Sequence, residues 1–321
     1  MSAMEKITVG IAGTGRIIPE SVAALRETGW EVTAIWGRHP EKAISCAQKL
    51  GIPSVADTYG SLLASGVDFV YIGLVNPVHY DYAMRALEAG VNVLLEKPFC
   101  STVEQAASLA ETARKKGLYL FETISNIHLP AWAFVKEQLP RIGTVKLFQA
   151  DFSQFSSRYE DYKKGIVGSA FDPACEGGAL RDLNVYNLHL SVDLFGRPQD
   201  VTARFNRGYN GIDTSGTVLL QYPGHLAVCT AAKDSGNPSG VCIQGDKGWI
   251  KIGGMPNLLQ EVTVSVRGEK PETSTPNRYQ NRLSHQFEVY RNIYGNRDRE
   301  TMLRLLDHSL EVMEVLCRIL A

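Results

Sequence analysis

A chain of 321 residues exceeds one typical domain, so two domains are the natural expectation. Hydrophobic residues make up 44% and charged residues 21%, an ordinary globular balance, with no run near the roughly 18 apolar residues of a membrane span. A formal net charge of −1 gives neither a nucleic acid nor an anionic membrane an electrostatic footing as partner.

The stretch Met1–Lys6 is short and polar, so the first apolar run reads as a strand and not as a signal-peptide core. Six cysteines (46, 100, 175, 229, 242 and 317) are scattered, with no C-x-x-C and no His/Cys ligand spacing. That usage points to a reduced, cytoplasmic protein without a metal site.

The segment Val9-Gly10-Ile11-Ala12-Gly13-Thr14-Gly15-Arg16-Ile17 opens with the apolar residues Ile7, Val9 and Ile11 and breaks into glycines. It then leaves toward a helical pattern containing Val22, Ala23 and Leu25. Strand, tight turn and helix is the context in which a glycine-rich segment binds a dinucleotide. Glycines let the backbone come close to a pyrophosphate, and the first N–H groups of the helix then face the phosphate charge. Two phasings fit, Gly10-x-Ala12-x-x-Gly15 and Gly13-x-Gly15-x-x-Ile18, and neither carries all three glycines of the G-x-G-x-x-G pattern. An ordinary strand-to-helix turn is the competing reading.

Up to about Glu122 the chain alternates short apolar strands with amphipathic helices. Glu31–Trp36 reads as a strand, and Pro40 starts a helix that Gly51 stops. Val67–Ile72 is a strong strand, followed by a helix from about Val78 to Ala89. Val91–Leu95 is another strand, Thr102–Lys116 a helix closed by Gly117, and Leu118–Phe121 a last short strand. This order predicts a doubly wound α/β domain with a parallel sheet, binding its ligand at the carboxyl ends of the strands.

Three strand ends carry the polar residues. After the second strand an NAD-binding fold usually places Asp or Glu for the ribose 2′-OH, about 20 residues past the glycines. Here Trp36-Gly37-Arg38-His39 follows, and Arg38, 23 residues after Gly15, suits a 2′-phosphate. The alternative is that Arg38 packs over the adenine or faces water. After Val70–Val75 comes Asn76-Pro77-Val78-His79, a turn with a polar pair. After Val91–Leu95 comes Glu96-Lys97-Pro98, where the proline disfavours the α conformation at Lys97. A bare Glu-Lys-Pro triplet also occurs in plain surface loops.

In this order and spacing, Gly13-x-Gly15-Arg16-Ile17, Arg38, Asn76-x-x-His79 and Glu96-Lys97-Pro98 resemble the Gfo/Idh/MocA oxidoreductases. That family includes glucose–fructose oxidoreductase, inositol dehydrogenase and dimeric dihydrodiol dehydrogenase. The resemblance covers essentially the whole chain. It implies a Rossmann domain over 1–122 and a C-terminal α+β domain over 123–321 with a large, mostly antiparallel sheet. It also implies hydride transfer between NADP or NAD and a sugar, polyol or related compound, NADP being preferred on account of Arg38. Gly13, Gly15, Arg16, Ile17, Arg38, Asn76, His79, Glu96 and Lys97 are the expected cofactor-binding residues.

The second half agrees with that layout on its own pattern. A helix after Pro130 leads to a strand over Thr144–Phe152. Residues 153–176 lack periodicity and are rich in aromatic and charged groups, which reads as a functional loop or a mobile segment. Alternating runs at 201–207, 214–222, 225–231, 240–244, 249–252 and 262–266 read as antiparallel strands with one wet or interface face. Residues 268–278 read as a loop, and helices over about 279–294 and 301–320 close the chain.

Between these lies a helix from about Ala179 to Phe195, preceded by Gly177-Gly178. Asp182, Tyr186 and His189 stand at i, i+4 and i+7, on one helical face. Spacing alone favours a solvated stripe, and the family comparison reverses that preference. Asp182 matches the family's aspartate at the start of this segment. Tyr186 stands where many members have a histidine acid/base and the dihydrodiol dehydrogenase type has tyrosine. His189 stands where the inositol dehydrogenase type has a second aspartate, and Asn184 replaces the usual glycine.

The mechanism expected from these parts makes Tyr186 the acid/base and Lys97 the cation that favours its phenolate and polarises the substrate oxygen. Asp182 would orient the substrate or Lys97, and His189 would relay protons or substitute as base. Lys97 and Tyr186 lie in different domains, so the expectation places them in one cleft. Two other functions fit the same fold: a regulatory protein that binds NAD(P)H without turnover, and an NAD-assisted glycosidase. The antiparallel sheet carries apolar residues on both alternations, as in Thr217-Val218-Leu219-Leu220, which predicts a homodimer or dimer of dimers through it.

Overall fold

The structure, a computed structural model, describes residues 6–320. The rest of the polar N-terminal stretch, and Ala321, lie outside the described residues. Contacts divide the chain into two units, one running through Thr123 and including Leu283–Leu310, the other comprising Ile124–Arg282 with the segment from Glu311.

The first unit alternates as the sequence predicts: β1 (Ile7–Ala12), α1 (Ile17–Glu27), β2 (Trp30–Trp36), α2 (Pro40–Leu50), β3 (Ser54–Val55), α3 (Tyr59–Leu63), β4 (Phe69–Ile72), α4 (His79–Glu88), β5 (Asn92–Glu96), α5 (Val103–Lys116) and β6 (Leu120–Thr123). The short β3 and α3 escape the periodicity. Thr58 and Ser61 nonetheless form a reciprocal cap at the start of α3. The six strands are parallel in the order β3-β2-β1-β4-β5-β6. The order reverses between β1 and β4, and in open α/β sheets the crevice at such a point receives the ligand.

Grouping Leu283–Leu310 with this unit differs from a single division after residue 122, and the reason is aromatic packing. On the helix Arg282–Gly295, Tyr290 stacks on Phe121 with centroids 4.4 Å apart, and Tyr294 meets Phe69 edge-on at 4.9 Å. The Tyr290 hydroxyl donates to the Glu122 carbonyl at 2.6 Å, and the Trp30 indole N–H donates to the Phe287 carbonyl at 3.1 Å.

The second unit contains α6 (Pro130–Gln138), β7 (Val145–Ser153), α7 (Tyr159–Lys163), a π-helical turn over Leu180–Asn184, and α8 (Val185–Phe195). Then come β8 (Asp200–Arg207), β9 (Asp213–Tyr222), β10 (His225–Ala232), β11 (Gly240–Gly245), β12 (Gly248–Gly253), β13 (Glu261–Val266) and β14 (Glu272–Ser274). The chain ends in α9, the helix Arg282–Gly295, and α10 (Arg299–Leu320). Among the described residues no helix is long and apolar enough to cross a membrane. The sheet order is β14-β13-β12-β11-β7-β10-β9-β8, antiparallel throughout except for the parallel pair β7 and β10. One face carries Phe148, Ala150, Phe152, Ala227, Cys229, Val218, Leu220, Ile243 and Ile250, all buried. Helix α8 packs on β7 and β10.

Two expectations change here. Residues 268–278 contain a strand, β14, which pairs with β13. Residues 153–176 are packed: Tyr162 stacks on Phe171 at 4.8 Å and on Tyr209 at 4.6 Å, and both Tyr162 and Phe171 are buried with Ile212. Their partners come from a distant hairpin, which local periodicity cannot show.

His79 ties the ends of β4 and β5 together. Its Nδ1 lies 3.0 Å from the Pro98 carbonyl and its Nε2 3.2 Å from the Leu74 carbonyl, and the ring is fully enclosed. Burial pushes the imidazole below its ordinary 6.5, the Lys97 charge acts in the same direction, and the two carbonyls and Glu122 oppose them. The unfolded chain therefore binds a proton as pH falls through 6.5, before the folded ring does. Stability from this group is complete above that pH and is lost as pH falls toward the folded value. Stability against unfolding, measured from roughly pH 7.5 down to 5, should fall by up to about 1.4 kcal/mol per pH unit more in the wild type than in His79→Gln. Parallel curves for the two proteins would refute this account.

Candidate active site

In the first unit the site grows from the end of β1. Gly13 has φ 130°, and a Cβ there would lie 2.4 Å from the Gly73 carbonyl oxygen, so the turns after β1 and β4 are pressed together. The Gly13 N–H donates to the Trp36 carbonyl at 2.8 Å, which draws in the end of β2 as well. Gly15 and Arg16 are exposed, and α1 begins at Ile17 with no side chain capping its first turn. These features fit a dinucleotide: a close backbone turn for the pyrophosphate and uncapped helix N–H groups directed at its charge.

The remaining residues of this unit differ in how they sit. Arg38 follows the buried Trp36 and Gly37 and is exposed, so its guanidinium is available to a ligand. Asn76 is half-buried at the start of a 3₁₀ turn, and Lys97 is half-buried just beyond β5. Glu96 is only 9% exposed, and its Oε1 accepts from the Tyr71 hydroxyl at 2.6 Å and from Thr123 Oγ1 at 2.8 Å. Its carboxylate thus ties β4, β5 and β6 together just before Lys97. His79 is likewise enclosed, its ring bridging the Leu74 and Pro98 carbonyls.

In the second unit the site lies where the π-helical turn enters α8. Asp213 Oδ2 accepts from the Leu180 N–H at 2.6 Å, and a Cβ on Gly178 (φ 98°) would fall 2.0 Å from Asp213 Oδ1. Burial raises the Asp213 carboxyl pKa, and the Leu180 N–H, Lys233 and Arg207 pull it back down. The Asp182 side chain is 41% exposed, and its Oδ2 accepts from Lys233 Nζ at 2.6 Å. Arg181 pairs with Glu176 at 2.9 Å. Tyr186 is 6% exposed, its ring 5.8 Å from that of Phe152 and its carbonyl accepting from Asn126 Nδ2 at 2.8 Å.

Asp182, Tyr186 and His189 do not share a wet face. The π turn breaks α-helical spacing after Asp182, and Val185–Val192 are buried all round. His189 is 0% exposed. Lys233 is the residue that sequence reasoning missed. Its signal was there: the apolar run Ala227–Ala232 ends in a charge, as Val93–Leu95 ends in Glu96-Lys97.

Comparison with known proteins gives the family and the fold. Residues 7–123 match the oxidoreductase family with an NAD-binding Rossmann fold, and residues 138–251 match the GFO/IDH/MocA C-terminal domain. The scyllo-inositol 2-dehydrogenase (NADP(+)) IolU of Bacillus subtilis (strain 168) is 35% identical over 77% of this chain and 76% of its own length. The trans-1,2-dihydrobenzene-1,2-diol dehydrogenase of Xenopus tropicalis is 31% identical over 87% of this chain and 86% of its own. The 3-ketoreductase KijD10 of Actinomadura kijaniata, in complex with TDP-benzene and NADP in an open conformation, superposes with a TM-score of 0.82 at 25% identity, covering 99% and 98% of the two chains. With both halves matched and a glycine turn at the point where the parallel sheet reverses, the chain belongs to the GFO/IDH/MocA family of oxidoreductases and transfers hydride with NAD(P).

Proposed function

We propose that the enzyme interconverts a hydroxyl and a carbonyl on a cyclic polyol or sugar, with NADP preferred over NAD. The observation that carries the substrate class is the turn at Asp182–Tyr186, a half-exposed carboxylate followed by a phenol on a packed helix. A carboxylate accepts hydrogen bonds from neutral hydroxyls, and a phenol exchanges a proton with the reacting oxygen. The names of two relatives support the class, since scyllo-inositol and trans-1,2-dihydrobenzene-1,2-diol are six-membered rings carrying adjacent hydroxyls.

Bound NADP supplies the hydride acceptor or donor at its nicotinamide. The Gly13–Gly15 turn and the first turn of α1 would hold its pyrophosphate, with Arg38 holding the 2′-phosphate. Asp182 fixes the substrate by its hydroxyls, and Tyr186 gives or takes the proton. A free phenol titrates near about 10, so the reactive form needs a cation, and Lys97 is the one we assign to that charge and to the substrate oxygen. In assays with scyllo-inositol and a panel of sugars, Tyr186→Phe should lower kcat by about 10²–10⁴ while Lys97→Met abolishes turnover, both sparing NADPH affinity. Activity within twofold of wild type in either variant would remove that residue from the mechanism.

The cofactor preference rests on Arg38 in place of an acid. Fluorescence titration should show NADPH binding tighter than NADH, with Arg38→Ala losing about 10- to 150-fold of NADPH affinity and little of NADH. Equal affinities in the wild type would end the claim.

The enzyme also assembles, on our reading, as a homodimer or dimer of dimers through the face of the eight-stranded sheet opposite α8. Register puts Leu147, Leu226, Leu219 and Trp249 on that face, and the last three are 39%, 39% and 38% exposed. Apolar residues in that number on an open sheet call for a partner surface. Light scattering at micromolar concentration should give twice or four times the chain mass, and a monomer would contradict the proposal. Scattered cysteines support a cytoplasmic location, which cell fractionation would check.

A further inference from the structure

We infer that Lys233 is a positioning residue for Asp182, holding the carboxylate from behind so that its other side is presented to substrate. The inference rests on the substrate-binding role proposed above for Asp182. Lys233 follows β10 directly and is 3% exposed. A buried ammonium is costly unless its donors are satisfied, and this one is satisfied from three directions. Its Nζ donates to Asp182 Oδ2 at 2.6 Å and to the Ala170 carbonyl at 3.1 Å, and it lies 5.1 Å from the centre of the Phe171 ring.

The pair is lopsided, and that asymmetry carries the inference. The side chain of Lys233 is 4% exposed and that of Asp182 is 41% exposed. An ordinary surface pair leaves both ends wet, and a core pair encloses both. Here one end is sealed and the other is open, which suits an ammonium that fixes a carboxylate for a third group. A carboxylate has about four lone-pair directions, so the short bond from Lys233 does not exhaust what Asp182, 41% exposed, can accept.

The surroundings hold the lysine rigidly enough for this task. Its backbone N–H donates to the Thr214 carbonyl at 2.8 Å, and its carbonyl accepts from the Ser156 N–H at 2.9 Å. The Ala170 carbonyl that receives Nζ also accepts from the Gly178 N–H at 3.1 Å. A Cβ on Gly177 would lie 2.6 Å from the Ser169 carbonyl, so the Gly-Gly pair is what lets this turn close against the start of the π-helical turn. Single π turns inside helices recur at functional sites, and this one sets the direction in which Asp182 leaves the helix. No local sequence rule joins these residues, because Lys233 and Asp182 are 51 positions apart.

The test begins without substrate, on the full-length protein. In carbon-13 NMR of the aspartate carboxyls, the Asp182 midpoint should rise by about one pH unit or more in Lys233→Met, and an unchanged midpoint overturns the inference. Should Lys233→Met fail to fold, Asp182→Asn approaches the pair from its exposed end. The slowly exchanging ammonium signal of Lys233 should then disappear from nitrogen-15 spectra, and its persistence overturns the inference. With scyllo-inositol and NADP, Lys233→Met should raise KM about tenfold or more while NADPH affinity holds. The double variant Lys233→Met/Asp182→Asn should be no worse than Asp182→Asn alone, whereas additive losses would show that Lys233 does not act through Asp182. If the NMR coupling holds but Asp182→Asn leaves turnover intact, the substrate-binding reading of Asp182 fails, and the positioning role falls with it.

Discussion

A charge delivered into the interior by an apolar strand must find partners there, and both units are arranged around that requirement. β5 runs through buried Val93, Leu94 and Leu95 into Glu96, and β10 runs through buried Ala231 and Ala232 into Lys233. Each charge is met by groups from several segments. Around Glu96 a chain of hydroxyls passes from Ser21 to Tyr71 to Glu96 and on to Thr123, with contacts of 2.8, 2.6 and 2.8 Å, linking α1, β4, β5 and β6. Around Lys233 the partners are the turn at Ala170–Phe171 and the carboxylate of the π turn. In each unit the anchored charge has a second charged residue next to it: Lys97 beside Glu96, and Asp182 against Lys233.

This division explains which parts of the molecule could be read in advance. Strand and helix periodicity, Pro40 at the start of α2 and Gly117 after α5 are local signals, and the elements they mark stand close to their expected places. β3, α3 and β14, of two, five and three residues, are too short for a periodic pattern. The segment 153–176 looks structureless because Tyr162 and Phe171 find Ile212 and Tyr209 far along the chain. His79 and His189 depart from expectation in their burial. Polar residue types beside a glycine turn or an acidic residue read as functional, yet both rings are wholly enclosed, and sequence carries no direct measure of enclosure.

The π turn is the subtlest of these departures. Regular α-helical spacing puts residues i, i+4 and i+7 on one face, but one extra residue per turn rotates everything before it relative to everything after. Asp182 precedes the widened turn's end and emerges half-exposed, while Tyr186 and His189 follow it into a helix buried on all sides. The cause is again tertiary: Asp213 takes the Leu180 N–H and Lys233 takes the Asp182 carboxylate, two side-chain bonds that an isolated helix would lack.

Reaction class is thus more legible than substrate for a physical reason. Dinucleotide binding depends on backbone shape, and backbone shape is announced by glycine, as at Gly13 against Gly73. Substrate recognition depends on the direction in which a few side chains point, and that direction is set from behind. On the roles proposed for Asp182 and Lys233, the choice among substrate hydroxyls is written in part at Ala170, Gly177, Asp213 and Lys233.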